Sequence, residues 1–341
     1  MELFLAGALR PNAAANSLRS GQILFPYFYG IGLLPGTDLP MKIAIIICTH
    51  KRPGPLERLL RSLQQIQTGN QDPDDFGIIL VDNHPDGRAR LVCERAAAKL
   101  PIKIKFVEEQ QQGGAYAKNR AVDEALKNKP EFLAFIDDDD IPEPDWLLHL
   151  IEKQRQTKAD IVCGTFPPVI KNEWPDWFRK SPLFDPPSKK PIVKHGIPSG
   201  IGSGNTLIKR QILDRLKRIG PVFSPRYPFL YDGDFFIRAH NIGAKFAIAE
   251  KSVIHRYFDD YRVTVRGLLR YAFRLGEYTM QLLADHGLGG KINRRKSKAI
   301  KNIVLRGLSL PVCIFSPVQM VRNLFKISKE MGILFFYYCR Q

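Results

Sequence analysis

Short apolar runs alternate with helical patterns along the chain from residue 43 to residue 163. Five runs have the length and composition of strands in a sheet: residues 43–48, 78–81, 102–106, 133–136 and 161–163. After the first run, Leu56, Leu59, Leu60 and Leu63 recur at helical spacing, and similar patterns follow the next three. Because strands that alternate with helices form parallel sheets, the sequence predicts an α/β fold with a doubly wound, mainly parallel sheet flanked by helices.

Polar residues follow four of the predicted strands, at the points where the chain leaves the core. They are Thr49, Arg52, Asp82, Asn83, residues 110–114 and Asp137 to Asp140. Open α/β sheets bind their ligands beyond the carboxyl ends of the strands. We therefore expect these side chains to converge on one rim and to form a ligand site.

Four consecutive carboxylates, Asp137 to Asp140, stand at the end of the fourth predicted strand. Adjacent carboxylates repel one another unless a cation shares the site, and hard divalent ions prefer oxygen ligands. This run indicates a Mg²⁺ or Mn²⁺ site. The alternative is a solvated acidic turn that also caps the helix beginning near Pro144.

The common phosphate-binding motifs are missing after the first predicted strand. Neither GxGxxG nor GxxxxGKS/T follows Cys48, and HExxH does not occur in the chain. A nucleotide would therefore be held by a metal ion and by side chains. The five cysteines are scattered and form no CxxC pair, which indicates a reducing, cytoplasmic protein without disulfides or structural zinc.

Six segments in order resemble glycosyltransferase family 2, whose members have the GT-A fold. They are residues 46–53 (IICTHKRP), 79–83 (ILVDN), 113–121 (GGAYAKNRA), 135–139 (FIDDD), 202–205 (GSGN) and 231–238 (YDGDFFIR). The resemblance extends over roughly residues 42–256 and ends near His255.

The resemblance implies a metal-dependent, inverting transfer of a sugar from a nucleotide diphosphate, most commonly UDP. The expected acceptor is a hydroxyl of a glycan or of a lipid-linked molecule in cell-surface polysaccharide synthesis. Asp139 would bind the metal, and Asp232 would be the catalytic base. The nucleotide sugar would be bound by Thr49, Arg52, Asp82, Asn83, Asn119, Asp137 and Asp138.

The acceptor side is expected between residues 165 and 260. Gly204 and Asn205 belong to the resembling segments, and Trp174 and Trp177 lie in a Pro-rich loop, residues 165–198, that we expect to act as a lid. The tryptophans would stack on a sugar or, alternatively, anchor the loop on the core. The chain departs from the family at Tyr231, where a Glu usually precedes the catalytic Asp. An alternative for Asp232 is a helix N-cap.

The net charge of +17 is concentrated at the C-terminal end, where residues 262–341 hold 15 Lys and Arg against three acids. Four arginines form one helical stripe: Arg262, Arg266, Arg270 and Arg274. The apolar segments 303–321 and 331–339 are interrupted or too short to cross a bilayer. We expect a basic helical extension that associates peripherally with the inner face of the plasma membrane; the alternative is a solvated helical subdomain.

The predicted organisation has three parts. Residues 1–40 form an N-terminal extension outside the fold, residues 41–260 the catalytic domain and residues 261–341 the basic helical region. Within the catalytic domain, residues 41–164 bind the nucleotide and residues 165–260 the acceptor.

Two other classes of protein fit less well. A sugar-1-phosphate nucleotidyltransferase requires a glycine-rich basic loop after the first strand, which Thr49 to Pro53 does not supply. A basic nucleic-acid-binding protein would leave the acidic rim without a purpose, and no recognition module for nucleic acid is present. No nucleic-acid partner is therefore expected.

Overall fold

The computed structural model describes residues 42–84, 86, 88–184, 202–258, 263–287 and 290–339. The predicted N-terminal extension, Arg262 and the second half of the predicted lid lie outside these residues.

An eight-stranded mixed sheet forms the centre of the catalytic part. Its strands are β1 (Ile43–Thr49), β2 (Phe76–Asp82), β3 (Lys103–Glu108), β4 (Phe132–Asp137), β5 (Asp140–Pro142), β6 (Ile161–Thr165), β7 (Asn205–Lys209) and β8 (Phe246–Arg256). They lie in the order β3-β2-β1-β4-β7-β6-β8-β5. Strand β7 is antiparallel to β4 and β6, and β5 is antiparallel to β8; the other pairs are parallel.

Ten helices accompany the sheet in the described part of the chain. They are α1 (Pro53–Ser62), α2 (Arg88–Ala97), α3 (Gly114–Leu126), α4 (Trp146–Thr157), α5 (Asp176–Arg179), α6 (Arg210–Lys217), α7 (Tyr231–Asn241), α8 (Val265–Asp285), α9 (Gly290–Ser309) and α10 (Pro317–Cys339). Helix α1 begins at a proline, whose fixed φ suits the first helical position, and buries Leu56, Leu59 and Leu60.

Two apolar cores lie on opposite faces of the sheet, because side chains alternate along a strand. Ile43, Ile45 and Ile47 of β1 pack in one core with residues of α1, α2 and α4. Ala44 and Ile46 pack in the other with residues of α3, α6 and α7. Both faces of β1 are therefore covered, which explains why its sequence is an unbroken apolar run.

The C-terminal region is helical, and its long helices α8 and α10 meet backbone to backbone. A Cβ on Gly276 of α8 would overlap the carbonyl oxygen of Lys329, and one on Gly332 of α10 would overlap that of Phe273. Only glycine permits so close an approach. In the described residues, no helix has the length and hydropathy needed to cross a membrane.

The predicted fold class is confirmed: strands and helices alternate in a mainly parallel sheet, and a helical C-terminal region follows. Strands β5, β7 and β8 were not predicted. Strand β5 has only three residues, and β8 contains charged residues such as Glu250 and Lys251. The proposed domain boundaries stay a prediction.

The packing of α8 against α10 gives a stability test. We expect Gly276→Ala to lower the free energy of unfolding by about 1–3 kcal/mol, since the added methyl group has no space. Thermal unfolding followed by circular dichroism measures the change. Gly307→Ala is the matched control: its Cβ meets nothing within 4 Å. It should be neutral or stabilise by up to about 1 kcal/mol through helix propensity. Equal melting temperatures for Gly276→Ala and the wild type would contradict the close contact.

Candidate active site

The ends of three neighbouring strands bring the predicted rim together. In the sheet register, Thr49 at the end of β1 lies beside Asp82 of β2, and Cys48 lies beside Asp137 of β4. The loops that leave these strands are therefore adjacent, as the parallel topology requires.

Two of the four consecutive carboxylates share one cationic nitrogen. Arg52 Nη1 lies 2.7 Å from Asp139 Oδ2 and 3.1 Å from Asp138 Oδ1. Thr49 Oγ1 donates a hydrogen bond of 2.7 Å to Asp138 Oδ2. Burial raises the pKa of Asp138 to about 6, with Arg52 opposing the shift. The geometry brings Thr49, Arg52, Asp138 and Asp139 into one cluster.

Asp137 lies between two cations from distant parts of the chain. Its carboxylate accepts bonds of 3.3 Å from Lys118 Nζ of α3 and from Arg256 Nη2 of β8. Arg256 also donates two hydrogen bonds to the carboxylate of buried Asp140, from Nη2 at 3.0 Å and from Nε at 3.1 Å. Burial alone would raise the pKa of Asp137, but Lys118 and Arg256 hold it below its ordinary value. Asp137 is therefore an ionised carboxylate whose position is fixed by Lys118 and Arg256.

A glycine turn, residues 202–204, packs against this carboxylate. Lys118 Nζ lies 2.5 Å from Ser203 Oγ, and Thr206 Oγ1 donates to the carbonyl oxygen of Gly202 at 2.8 Å. A Cβ on Gly204 would overlap the Asp137 carboxylate, whereas one on Gly202 would meet nothing closer than 3.5 Å. Gly204 thus contacts Asp137, and its predicted role in acceptor binding stays a prediction.

The side-chain amides of three predicted site asparagines form hydrogen bonds with the protein backbone. Asn83 bonds the backbone of Glu109, Gln111 and Gly113 and so fixes the loop before α3. Asn119 bonds both backbone groups of Phe223. Buried Asn205 bonds the carbonyls of Thr165 and Ser252. Asn83 lines the cleft described below, whereas Asn119 and Asn205 position the loops around it.

Asp82 lies at the end of β2, where its carboxylate accepts a bond of 3.0 Å from the backbone N–H of His84. Burial raises the pKa of this carboxyl group, and the bond from His84 opposes the shift. Its predicted contact with the nucleotide base stays a prediction.

Asp232 lies in the first turn of α7, after Leu230 at the N-cap. Its Oδ2 is 4.0 Å from the position of a Cβ on Gly202. Its charge, together with that of Asp137, helps to raise the pKa of Lys118 above its ordinary value, although burial opposes this. Asp232 is therefore not the N-cap, and its carboxylate lies near the glycine turn.

Tyr231 stands where the resemblance predicts an acidic residue before Asp232. Its ring lies 5.5 Å from Lys118 Nζ and packs edge-on against Phe223. A Cβ on Gly114 would approach the Tyr231 hydroxyl to 2.9 Å. Tyr231 thus closes the space between α3 and α7 with an aromatic ring instead of a second carboxylate.

The two tryptophans pack within the protein. Trp174 is buried and contacts the rings of Phe178, Phe184 and Phe258. Trp177 packs against an apolar cluster formed by α8 and α10. These contacts support the alternative in which the tryptophans anchor the loop, and neither residue lines the cleft in the described structure.

The rim opens into a cleft of about 2440 Å³. Thr49, Arg52 and Asp137 to Asp139 line one side, and Arg266, Arg270 and Tyr271 of α8 line another. Desolvation and the charge of Asp232 raise the pKa of the Tyr271 hydroxyl. Part of the basic stripe, which we expected at a membrane surface, therefore forms a wall of the cleft.

The carboxylates fit a hard divalent cation with few protein ligands. Oxygens of Asp138 and Asp139 already converge on a single positive group. The described residues contain no group of three or more side chains suited to hold a metal ion. Asp138 and Asp139 could hold the ion by themselves, because sites of the Mg²⁺ type use one or two carboxylates and are completed by substrate phosphates and water.

Lys118 and Arg256 were missed as site residues by the sequence reasoning. Lys118 stands within the segment 113–121, but in sequence it resembles any surface lysine of an amphipathic helix. Arg256 follows His255 at the end of a strand that was not predicted. For Arg256, the only signal in the sequence was its position one residue after His255, where the resemblance ends, and that signal was weak.

A comparison with models of protein families identifies the family of this chain. The model for "Glycosyl transferase family 2" matches residues 44–217, about half of the chain and all the strands from β1 to β7. The chain belongs to glycosyltransferase family 2. The predicted family is thereby confirmed, and the protein is a glycosyltransferase.

Two curated proteins show the similarity at the level of sequence. The succinoglycan biosynthesis protein ExoM of Rhizobium meliloti (strain 1021) is 29% identical over 257 residues, which are 73% of this chain and 78% of that protein. The galactofuranosyltransferase GlfT2 of Mycobacterium tuberculosis (strain ATCC 25618 / H37Rv) is 32% identical over 144 residues, 40% of this chain and 21% of that protein.

A solved structure shows the similarity at the level of fold. The mannosyltransferase PcManGT from Pyrobaculum calidifontis, in complex with GDP-Man and Mn²⁺, aligns with a TM-score of 0.59. The alignment covers 88% of each chain at 15% identity, so it supports the GT-A fold alone.

The glycine turn provides a test of this site. We expect Gly204→Ala to weaken nucleotide binding at least tenfold, because the methyl group would displace Asp137 from between Lys118 and Arg256. Isothermal titration calorimetry with nucleoside diphosphates measures the affinity. Gly202→Ala, in the same turn but with space for a Cβ, should bind within about threefold of the wild type. Equal weakening by both substitutions would show that the turn, and not the Asp137 contact, is responsible.

Proposed function

We propose that this glycosyltransferase moves a sugar from a nucleotide diphosphate sugar, most simply a UDP-sugar, to a hydroxyl of a glycan or lipid-linked acceptor, with inversion. The observation that carries the proposal is the glycine turn. Gly204 contacts Asp137 of the donor side, and Gly202 lies beside Asp232 of α7. A carboxylate suited to accept a proton therefore lies near a site suited to a diphosphate and its metal ion.

On the donor side, Thr49 and Arg52 orient Asp138 and Asp139. We assign Asp139 as the principal metal ligand, with Asp138 beside it. A bound Mn²⁺ or Mg²⁺ would neutralise the charge that develops on the departing nucleoside diphosphate. Arg52 pairs with these carboxylates, so it balances their charge when the metal ion is absent. Asp137, fixed by two cations, would accept hydrogen bonds from the ribose.

On the acceptor side, Asp232 accepts the proton of the attacking hydroxyl. The acceptor oxygen forms its bond to the anomeric carbon as the bond from that carbon to the phosphate oxygen breaks. The electron pair leaves with the nucleoside diphosphate, and one displacement inverts the anomeric centre. Proton removal by a positioned carboxylate contributes about 10²–10⁴ to such rates.

The wall formed by α8 supports an acceptor that carries an anionic group. Arg266 and Arg270 line the cleft, and neither pairs with an acidic side chain among the described residues. Uncompensated arginines in a cleft attract phosphate, which they can bind with two parallel hydrogen bonds. A lipid-linked diphosphate glycan has such a group, and its use would bring the enzyme to the inner face of the plasma membrane.

The relatives support a role in polysaccharide synthesis. One is named a succinoglycan biosynthesis protein and another a galactofuranosyltransferase. The mannosyltransferase of similar fold was solved with Mn²⁺ and GDP-Man. We infer a divalent metal in the present enzyme from the carboxylates after β4.

Release of nucleoside diphosphate from a panel of UDP-, GDP- and dTDP-sugars, with a membrane fraction of the source organism as acceptor, tests the proposal. We expect one donor to be turned over. Asp232→Asn should lower the rate by about 10²–10⁴ while nucleotide affinity changes less than about threefold, because the base acts only in transfer. Asp214→Asn, a surface carboxylate of α6 paired with Arg210, is the control and should be fully active. An Asp232→Asn enzyme with wild-type turnover would refute the assignment of the base.

A further inference from the structure

The end of α9 and the turn after it display apolar side chains that none of the described residues covers. Leu308 is 72% exposed, Val312 81%, Ile314 66% and Phe315 94%. Ile300, Val304 and Leu305 extend the same apolar surface along α9. We call residues 304–315 the apolar tip. A contiguous exposed patch of this kind, unlike a single exposed side chain, marks an interaction site.

The apolar tip is held rigid from beneath. Buried Asn323 of α10 donates to Ser309 Oγ at 3.1 Å and to Cys313 Sγ at 3.3 Å. The side-chain Oδ1 of Asn323 accepts a bond of 3.3 Å from Arg306 Nη1. Cys313, the one buried residue of the turn Pro311–Phe315, points inward while its neighbours point outward. The exposure of Val312 and Phe315 is therefore built into the fold and does not result from an unfolded segment.

Basic residues precede the apolar tip on the same face of α9. Arg294, Lys298, Lys301, Leu305 and Leu308 follow one another at intervals of four and three, which places them along one stripe of the helix. The three cations are exposed, and within the described residues none of them pairs with an acidic side chain. This stripe is cationic over its first half and apolar over its second.

We propose that the apolar tip and the basic stripe of α9 dock on an anionic lipid bilayer. Val312, Ile314 and Phe315 enter the interface between headgroups and acyl chains, and Lys298 and Lys301 meet the headgroup phosphates. This is the combination that holds peripheral proteins on membranes, in which apolar insertion and attraction to anionic lipid act together.

Charge selects the bilayer over the other possible occupants. A second copy of the chain docked face to face would bring two sets of unpaired cations together, and such like-charge contacts are strongly unfavourable. A nucleic acid would satisfy the cations but would leave Phe315 and Val312 in water. An anionic membrane satisfies both halves of the stripe.

This inference extends the membrane location proposed above by naming its surface, and it does not depend on the sugar or the acceptor. Flotation with phosphatidylcholine vesicles, with and without phosphatidylglycerol, tests it. We expect the wild type to float with anionic vesicles and to dissociate as salt is raised. Val312→Ser/Phe315→Ser should lower the partition coefficient at least tenfold, because the inserted apolar area is lost. Lys298→Glu/Lys301→Glu should lower it at least tenfold for anionic vesicles.

Matched controls separate this surface from general effects. Ile219→Ser removes another exposed apolar residue, and Lys99→Glu/Arg155→Glu changes the net charge equally on exposed residues of the catalytic part. Both should float as the wild type does. Calorimetric nucleotide binding by all variants shows that they are folded, and it separates loss of docking from failure of the proposed enzymatic function.

Three results would overturn the proposal. The first is a wild type that does not float with anionic vesicles. The second is a Val312→Ser/Phe315→Ser variant that floats as well as the wild type. The third is a wild-type dimer in analytical ultracentrifugation that the same substitutions dissociate, because a second copy would then occupy this surface.

Discussion

Four carboxylates at the end of one buried strand can lie close together only because three cations from elsewhere in the chain neutralise them. Arg52 comes from the loop after β1, Lys118 from α3 and Arg256 from the end of β8. Asp138 and Asp140 are buried, and an unpaired buried charge is costly. The positions of α3 and β8 relative to β4 are thus coupled to the charge balance of the site.

The same constraint explains how the site is organised for transfer. Lys118 contacts both Asp137 and Ser203, so the donor carboxylate and the glycine turn are held by one side chain. The turn in turn lies beside Asp232. Helix α8 lines the cleft with Arg266, Arg270 and Tyr271, so the helical C-terminal region contributes residues to the candidate site.

The parallel half of the fold could be predicted from the sequence because its strands are buried on both faces and appear as unbroken apolar runs. Strand β8 could not be predicted, since its charged and apolar residues give no clear period. Thr49, Arg52 and the acidic run were predicted together because they follow parallel strands, whose carboxyl ends meet. Lys118, Arg256 and the arginines of α8 depend on contacts between distant segments, for which the sequence carries no local signal. The asparagines show the converse: position in a motif identified Asn83, Asn119 and Asn205, but only the structure reveals that their amides bond the backbone.

The most direct test of the central claim, that the carboxylates after β4 bind a nucleotide through a divalent cation, is calorimetric titration with UDP, GDP and dTDP. Each titration is made with and without Mn²⁺, on the wild type and on Asp139→Asn. We expect one nucleotide to bind in a Mn²⁺-dependent manner and this dependence to disappear in the variant. Binding that is equal in both proteins, or no binding of any nucleotide, would contradict the claim.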